Sequence, residues 1–201
     1  MLISSQLWEL KMSQKPQVII LNGVGSVGKT STAQALQEIA DRNFLHVSMD
    51  VFLGMMPKRM FGHPDGLMLE AVTNQNMPSV IIHSGVVMTR VTQGMRHAVA
   101  AMTSVGNSII LDDVMMSHAE ADEYRTLLSH VDLRIVGLHA PLQVLENRER
   151  MRADRENGLA RWQFDRVHQG QLYDLEVDTT SFTPRQIAQQ IAAAFDIPVS
   201  N

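Results

Sequence analysis

Eight consecutive residues, Gly23-Val24-Gly25-Ser26-Val27-Gly28-Lys29-Thr30, satisfy the pattern G-x-x-x-x-G-K-[ST] at every fixed position. Residues of these types at this spacing can cradle phosphate. Glycines let successive backbone N–H groups turn inward as a concave nest for phosphate oxygens. Lys29 can reach β- and γ-phosphates, the Thr30 hydroxyl suits Mg²⁺, and Ser31 completes the candidate nucleotide-binding run. The flanks agree with this chemistry. Gln17-Val18-Ile19-Ile20-Leu21-Asn22 reads as a buried strand, and from Thr30 to Arg42 the residues Thr32, Ala35, Leu36 and Ile39 recur at helical spacing.

Three further groups could complete a phosphoryl-transfer site. Ile109-Ile110-Leu111-Asp112-Asp113 is an apolar strand ending in acid, a Walker B pattern able to hold the metal. Asp112 is preferred to Asp113 for that role, with the choice open. Asp50 follows a second apolar run, where a carboxylate could take the proton of an attacking hydroxyl. The plainer alternative is that Asp50 caps the Val51-Phe52 segment. Arg148, Arg152 and Arg155 are spaced to share one face of a helix, with Arg150 pointing elsewhere. Such a face could close as a lid and stabilise charge on a transferring phosphoryl group. Its alternative is a solvated helix laced by Glu146–Arg150 and Arg152–Glu156 pairs.

The elements needed to position these groups can be read along the chain. Strands are expected at Phe44 to Met49, Ser108 to Leu111, Leu133 to Leu138 and Tyr173 to Val177. Helices are expected from Arg90 to Val105, from the Ser117–Glu120 capping box to about Ser129, from Pro141 through the arginine-rich stretch, and from Thr183-Pro184 to about Phe195. Alternation of strands and helices predicts an α/β, P-loop kinase-like fold, a five-stranded parallel sheet with helices on both faces. Ligands should gather at the carboxyl ends of the strands, where Asn22, Asp50, Asp112, His139 and Asp178 to Thr180 fall. Adenine contacts are expected near Thr179 and Thr180. Residues 51–89 are the least regular and hold Met55, Met56, Met60, Met68, Met77 and Met88, either an adaptable acceptor pocket or core filler. His63, His83 and His97 show no metal-ligand spacing.

At 201 residues, 45% of them apolar, the chain fits one domain over 17–201, preceded by a dispensable extension at 1–16. A net charge of −4 without a basic face argues against a nucleic-acid partner. The absence of cysteine excludes disulfides and thiolate catalysis. No apolar run approaches the roughly 20 residues that span a bilayer, and no signal peptide is evident, so the expected location is the cytoplasm without a membrane partner. Missing N-K-x-D and D-x-x-G motifs count against a GTPase-like regulator.

Four stretches together resemble the chloramphenicol phosphotransferase family of small phosphate-loop kinases: Ile19 to Gly23 with its loop, Ser48-Met49-Asp50, Ile109 to Val114, and a long C-terminal block. That block runs through Val136-Gly137-Leu138, Arg148-Glu149, Arg152 with Asp154-Arg155, Val167-His168 and Tyr173 to Thr180. The resemblance implies ATP and Mg²⁺ as cofactors, Asp50 as general base, and Lys29 and Thr30 as phosphate and metal contacts. It also implies a lid of Arg148, Arg152 and Arg155 over residues 147–158. Its activity is phosphorylation of an antibiotic hydroxyl, a form of antibiotic resistance. Residues 51–89, the expected acceptor-binding segment, depart from the family pattern. The expected function is ATP-dependent O-phosphorylation of a small-molecule hydroxyl, chloramphenicol first. The alternatives are a kinase of another metabolite or nucleotide, and a non-catalytic nucleotide-binding regulator. A homo-oligomer stays open.

Overall fold

The computed structural model describes residues 15–74, 77–152 and 157–200. Its centre is β1 (Gln17–Asn22), every residue of which is buried. A continuous apolar strand of this kind is stable only with both faces covered. Parallel neighbours flank it: β2 (Phe44–Ser48), β5 (Ser108–Asp113), β6 (Asp132–His139) and β7 (Leu175–Asp178), in the order β2-β5-β1-β6-β7. The strand alternation sorts the core into two layers. Ile19 and Leu21 pack on one face with α1 (Lys29–Ile39) and α7 (Pro184–Ala194). Val18 and Ile20 pack on the other with α3 (Val86–Ser104) and α4 (His118–Leu127). The five-stranded sheet and its two helical layers are those expected from the sequence.

Local signals fix several ends. Glu120 reaches back to the Ser117 backbone N–H at 3.1 Å and closes the capping box of α4. Gln186 does the same for Thr183 at 2.9 Å, opening α7 with Pro184 inside its first turn. Smaller boundaries move. β7 starts at Leu175, so Tyr173 lies before the strand rather than in it. α3 begins at Val86, earlier than the expected Arg90.

Two departures are larger. Residues 51–89 are not irregular. They contain a short α2 (Met49–Gly54), one 3-10 turn (Lys58–Met60) and an antiparallel hairpin, β3 (Leu67–Asn74) with β4 (Met77–Ser84). The hairpin forms its own sheet, and β4 packs against α6 (Leu159–Phe164). The arginine-rich stretch is also not one helix. Pro141 is the N-cap rather than the first helical residue, and α5 (Leu142–Arg150) stops at Arg150. A helix continued to residue 158 would carry it roughly 13 Å along the axis from Glu149. Instead the Glu149 carboxylate holds the backbone N–H groups of Gly158 and Ala160, each at 2.8 Å, so the chain must turn back. Arg148 and Arg152 therefore share no helical face, and Arg155 lies outside the described residues.

Because Ile20 is fully buried at the middle of the sheet, Ile20→Ala should cost about 2–5 kcal/mol in a urea melt. Leu45→Ala, on the edge strand and 43% exposed, should cost less than about 1 kcal/mol in the same measurement.

Candidate active site

The loop after β1 is held by its surroundings as much as by its own sequence. A side chain at Gly23 would place Cβ 2.6 Å from the Leu138 carbonyl oxygen, so only glycine allows β6 to close against the loop. Gly28, at φ 105°, and Ser26, at φ 65°, adopt the left-handed backbone that turns amides inward. Ser26 Oγ is buried with no hydrogen-bond partner. An unmet hydroxyl in a nest of amides is the complement of a phosphate oxygen. Lys29 is buried, and its Nζ donates to the carbonyls of Gly23 at 2.9 Å and Val24 at 3.2 Å.

The end of β5 separates the two acids. Asp112 turns to the loop: its Oδ2 accepts from Thr30 Oγ1 at 2.5 Å, and Oδ1 lies 3.9 Å from Lys29 Nζ. These are hard oxygen donors of the type Mg²⁺ takes. Asp113 points to the opposite face, as strand alternation requires. It accepts from Tyr124 OH and from the Val114 N–H, each at 2.7 Å. Burial raises the Asp113 pKa above the usual carboxylate value, and those two donors oppose the shift. Tyr124 is likewise held well above its ordinary value by burial and by Asp113.

Asp50 sits two residues beyond β2, in the first turn of α2. The N-cap of α2 is Ser48, whose Oγ accepts from the Asp50 N–H at 3.2 Å, so Asp50 is not the cap of this segment. Its side chain lines two cavities. The first, about 360 Å³, is bounded by residues 25–32 of the loop together with Asp112, Arg148, Arg152, Thr179 and Phe182. The second, about 690 Å³, lies between α2, α3, α6 and the hairpin, with walls that include Leu53, Phe61, Ile82, Met88 and Trp162. Both sizes suit small ligands. Met49, Asp50 and Val114 border both.

Other expected residues fall less simply. Arg148 is fixed in place: Nη1 donates to Val27 O at 3.3 Å and Thr179 Oγ1 at 3.0 Å, and Nη2 donates to Thr179 O at 2.8 Å. Thr179 lines the first cavity, whereas Thr180 does not, and Phe182, Pro184 and Ile187 do so without having been anticipated. Of the methionines singled out, Met88 lines the second cavity and Met55 is exposed, and the Met77 side chain lies outside the described residues. His83 pairs with Glu70 at 2.8 Å, and no cluster of metal-ligating side chains occurs among the described residues.

Several structural partners of the site are legible in the sequence only as polar strand ends or as parts of the family pattern, and Gln163 and Arg96 not at all. Asn22 ties three segments beneath the loop, donating to Tyr173 OH at 2.8 Å and Val167 O at 3.2 Å and accepting from the Met115 N–H at 2.8 Å. Tyr173 OH lies 2.8 Å from His168 Nδ1, and the His168 ring stacks on His139 with centroids 3.9 Å apart. Burial, then the neighbouring His139 and Lys29, push the His168 pKa down to about 4. Gln163 of α6 accepts from the Gly25 N–H at 2.7 Å. Arg96, buried, pairs with Glu123 at 2.7 Å and Glu120 at 3.7 Å beside the second cavity.

A family model described as "Chloramphenicol phosphotransferase-like protein" matches residues 16–196. The chain belongs to that family. It is 26% identical over 184 residues to a Mycobacterium tuberculosis protein named as a candidate O-phosphotransferase, covering 89% of this chain and 82% of that one. Among solved structures it is similar to a sugar kinase from Janibacter sp., with a TM-score of 0.63 at 15% identity over 90% of this chain and 95% of that one. It is also similar to the Mycobacterium tuberculosis APS kinase, with a TM-score of 0.62 at 12% identity over 90% and 98%. At these identities the solved structures show the phosphate-loop kinase fold. The family and the curated relatives together make the chain a phosphotransferase enzyme. No helix among the described residues is long and apolar enough to cross a membrane.

Two outcomes follow from this geometry. Glu149→Ala strands the Gly158 and Ala160 amides and should lower stability by about 2–4 kcal/mol, read from denaturant midpoints. His168 takes a proton more readily unfolded, near 6.5, than folded, near 4, so stability should fall as pH drops through that window. A His168→Gln variant should show a shallower loss of Tm between pH 6.5 and 4 than the parent protein.

Proposed function

We propose that the protein is an ATP- and Mg²⁺-dependent O-phosphotransferase acting on a hydroxyl of a small, uncharged molecule, with chloramphenicol the first candidate. The observation that carries this reading is Asp50, one carboxylate on the wall of both cavities. The first cavity, with its nest of amides and unmet Ser26 hydroxyl, takes the triphosphate. The second takes the acceptor, with residues 51–89 supplying most of one wall.

In this reading the acceptor hydroxyl reaches Asp50 through the shared border. Asp50 accepts its proton as the oxygen attacks the γ-phosphorus, and the bond from that phosphorus to ADP breaks. Lys29 leaves the loop carbonyls to meet the phosphates. Arg148 and Arg152 offset charge on the transferring group, with Arg155 assigned to the same lid from the sequence. Magnesium, held by Thr30 and Asp112, neutralises charge on the phosphates when bound. Asp113, already spent on Tyr124 and Val114, supports β5 instead.

The acceptor wall favours an uncharged alcohol over a nucleotide. Its apolar residues carry three charged side chains, Asp50, Arg96 and Glu120, and Arg96 is already paired with Glu120 and Glu123. An anionic acceptor would meet net negative charge there.

The test is acceptor-dependent ADP release with Mg²⁺-ATP, using chloramphenicol and a panel of small primary alcohols, with product mass followed in parallel. Transfer should add one phosphoryl mass to an acceptor. Asp50→Asn should lower kcat by about 10²–10⁴-fold and Lys29→Ala by about 10²–10³-fold. Hydrolysis of ATP that ignores every alcohol would defeat the proposal.

A further inference from the structure

Gln163 stands between the two cavities. It lies on α6, is only 5% exposed, and lines the acceptor cavity, while its Oε1 accepts from the Gly25 N–H of the phosphate loop at 2.7 Å. The direction of the carboxamide is forced, because only an oxygen can face a backbone donor. Nε2 therefore turns away from the loop, and it makes no hydrogen bond with any described residue.

Several other polar groups of this wall already have partners. Thr89 and Thr92 donate to backbone carbonyls, of Gly85 and of Thr89 respectively. Arg96 is held by Glu120 and Glu123. With no partner in the protein and a place on the cavity wall, this donor is met by solvent in the empty cavity and is available to a ligand oxygen that takes the solvent's place.

We propose that Gln163 bridges the two substrates, its Oε1 fixing Gly25 in the phosphate loop while its Nε2 donates to an oxygen of the bound acceptor. This rests on the phosphotransfer reading above and adds a residue that orients the acceptor against the loop. The acceptor must then carry a hydrogen-bond-accepting oxygen besides the hydroxyl that reacts. Binding such a molecule orders Gln163, and through it the third position of the loop.

Two near-isosteric variants separate the halves of the bridge. Gln163→Met loses both bonds, whereas Gln163→Glu keeps an oxygen for Gly25 and loses the donor. Both should raise the acceptor KM by about 3- to 10-fold, measured with whichever alcohol of the panel the parent protein phosphorylates. Only Gln163→Met should speed hydrogen exchange at the Gly25 amide, followed by NMR. A purely structural glutamine would leave the acceptor KM unchanged in Gln163→Glu and would show itself only as a lower Tm in Gln163→Met. That result overturns the bridge and spares the phosphotransferase assignment. If the parent protein phosphorylates no alcohol, both readings fall together, and the absence of any transfer identifies that case.

Discussion

The reaction edge depends on the buried carboxylate of Glu149, which grips the backbone of Gly158 and Ala160 from the last turn of α5. Taking a carboxylate out of water costs several kcal/mol unless its lone pairs are met, and two charge-assisted bonds at 2.8 Å meet them here. The grip folds α6 back on α5, a packing reinforced by the Arg161–Glu146 ion pair. Folded back in this way, Gln163 reaches Gly25 and Leu159 and Trp162 reach the second cavity. Arg148, the residue before Glu149, is meanwhile tied to Val27 and Thr179. One short stretch of α5 is thus bonded to the walls of both cavities, to the first through Arg148 and to the second through Glu149 and α6.

Where the determining interaction is local, the sequence discloses it. The loop, the buried run of β1, the Ser117 and Thr183 capping boxes and the alternation of strands with helices each depend on neighbours within a few residues. They were enough for the five-stranded sheet and for the collection of polar groups at its carboxyl edge. Asp112 and Asp113 could not be separated in the same way. Their alternation was visible, but which face met the loop depended on the pairing of β5 with both β1 and β2.

Long-range contacts decided what the sequence concealed. The arginine spacing read as one helix because nothing nearby says that Glu149 will capture Gly158. The hairpin was hidden because Leu67 to Val72 lacks clean alternation, Pro64 stands just before it and Pro78 falls inside β4. Gln163 had no pattern at all, since its meaning comes from Gly25, 138 positions away. Lys29 and Thr30 could be placed because the phosphate loop fixes their offsets, whereas Asp50 was singled out only by its position just after the second apolar run.

The second cavity draws part of its wall from a hairpin that lies outside the five-stranded sheet. The phosphate loop, by contrast, is fastened to that sheet through Gly23 and Asn22. Substitutions in β3 and β4 can therefore reshape what is recognised without passing strain into the machinery that handles phosphate. Such an architecture lets a lineage exchange targets while inheriting its chemistry intact, so divergence between relatives should concentrate in the hairpin and spare the central strands.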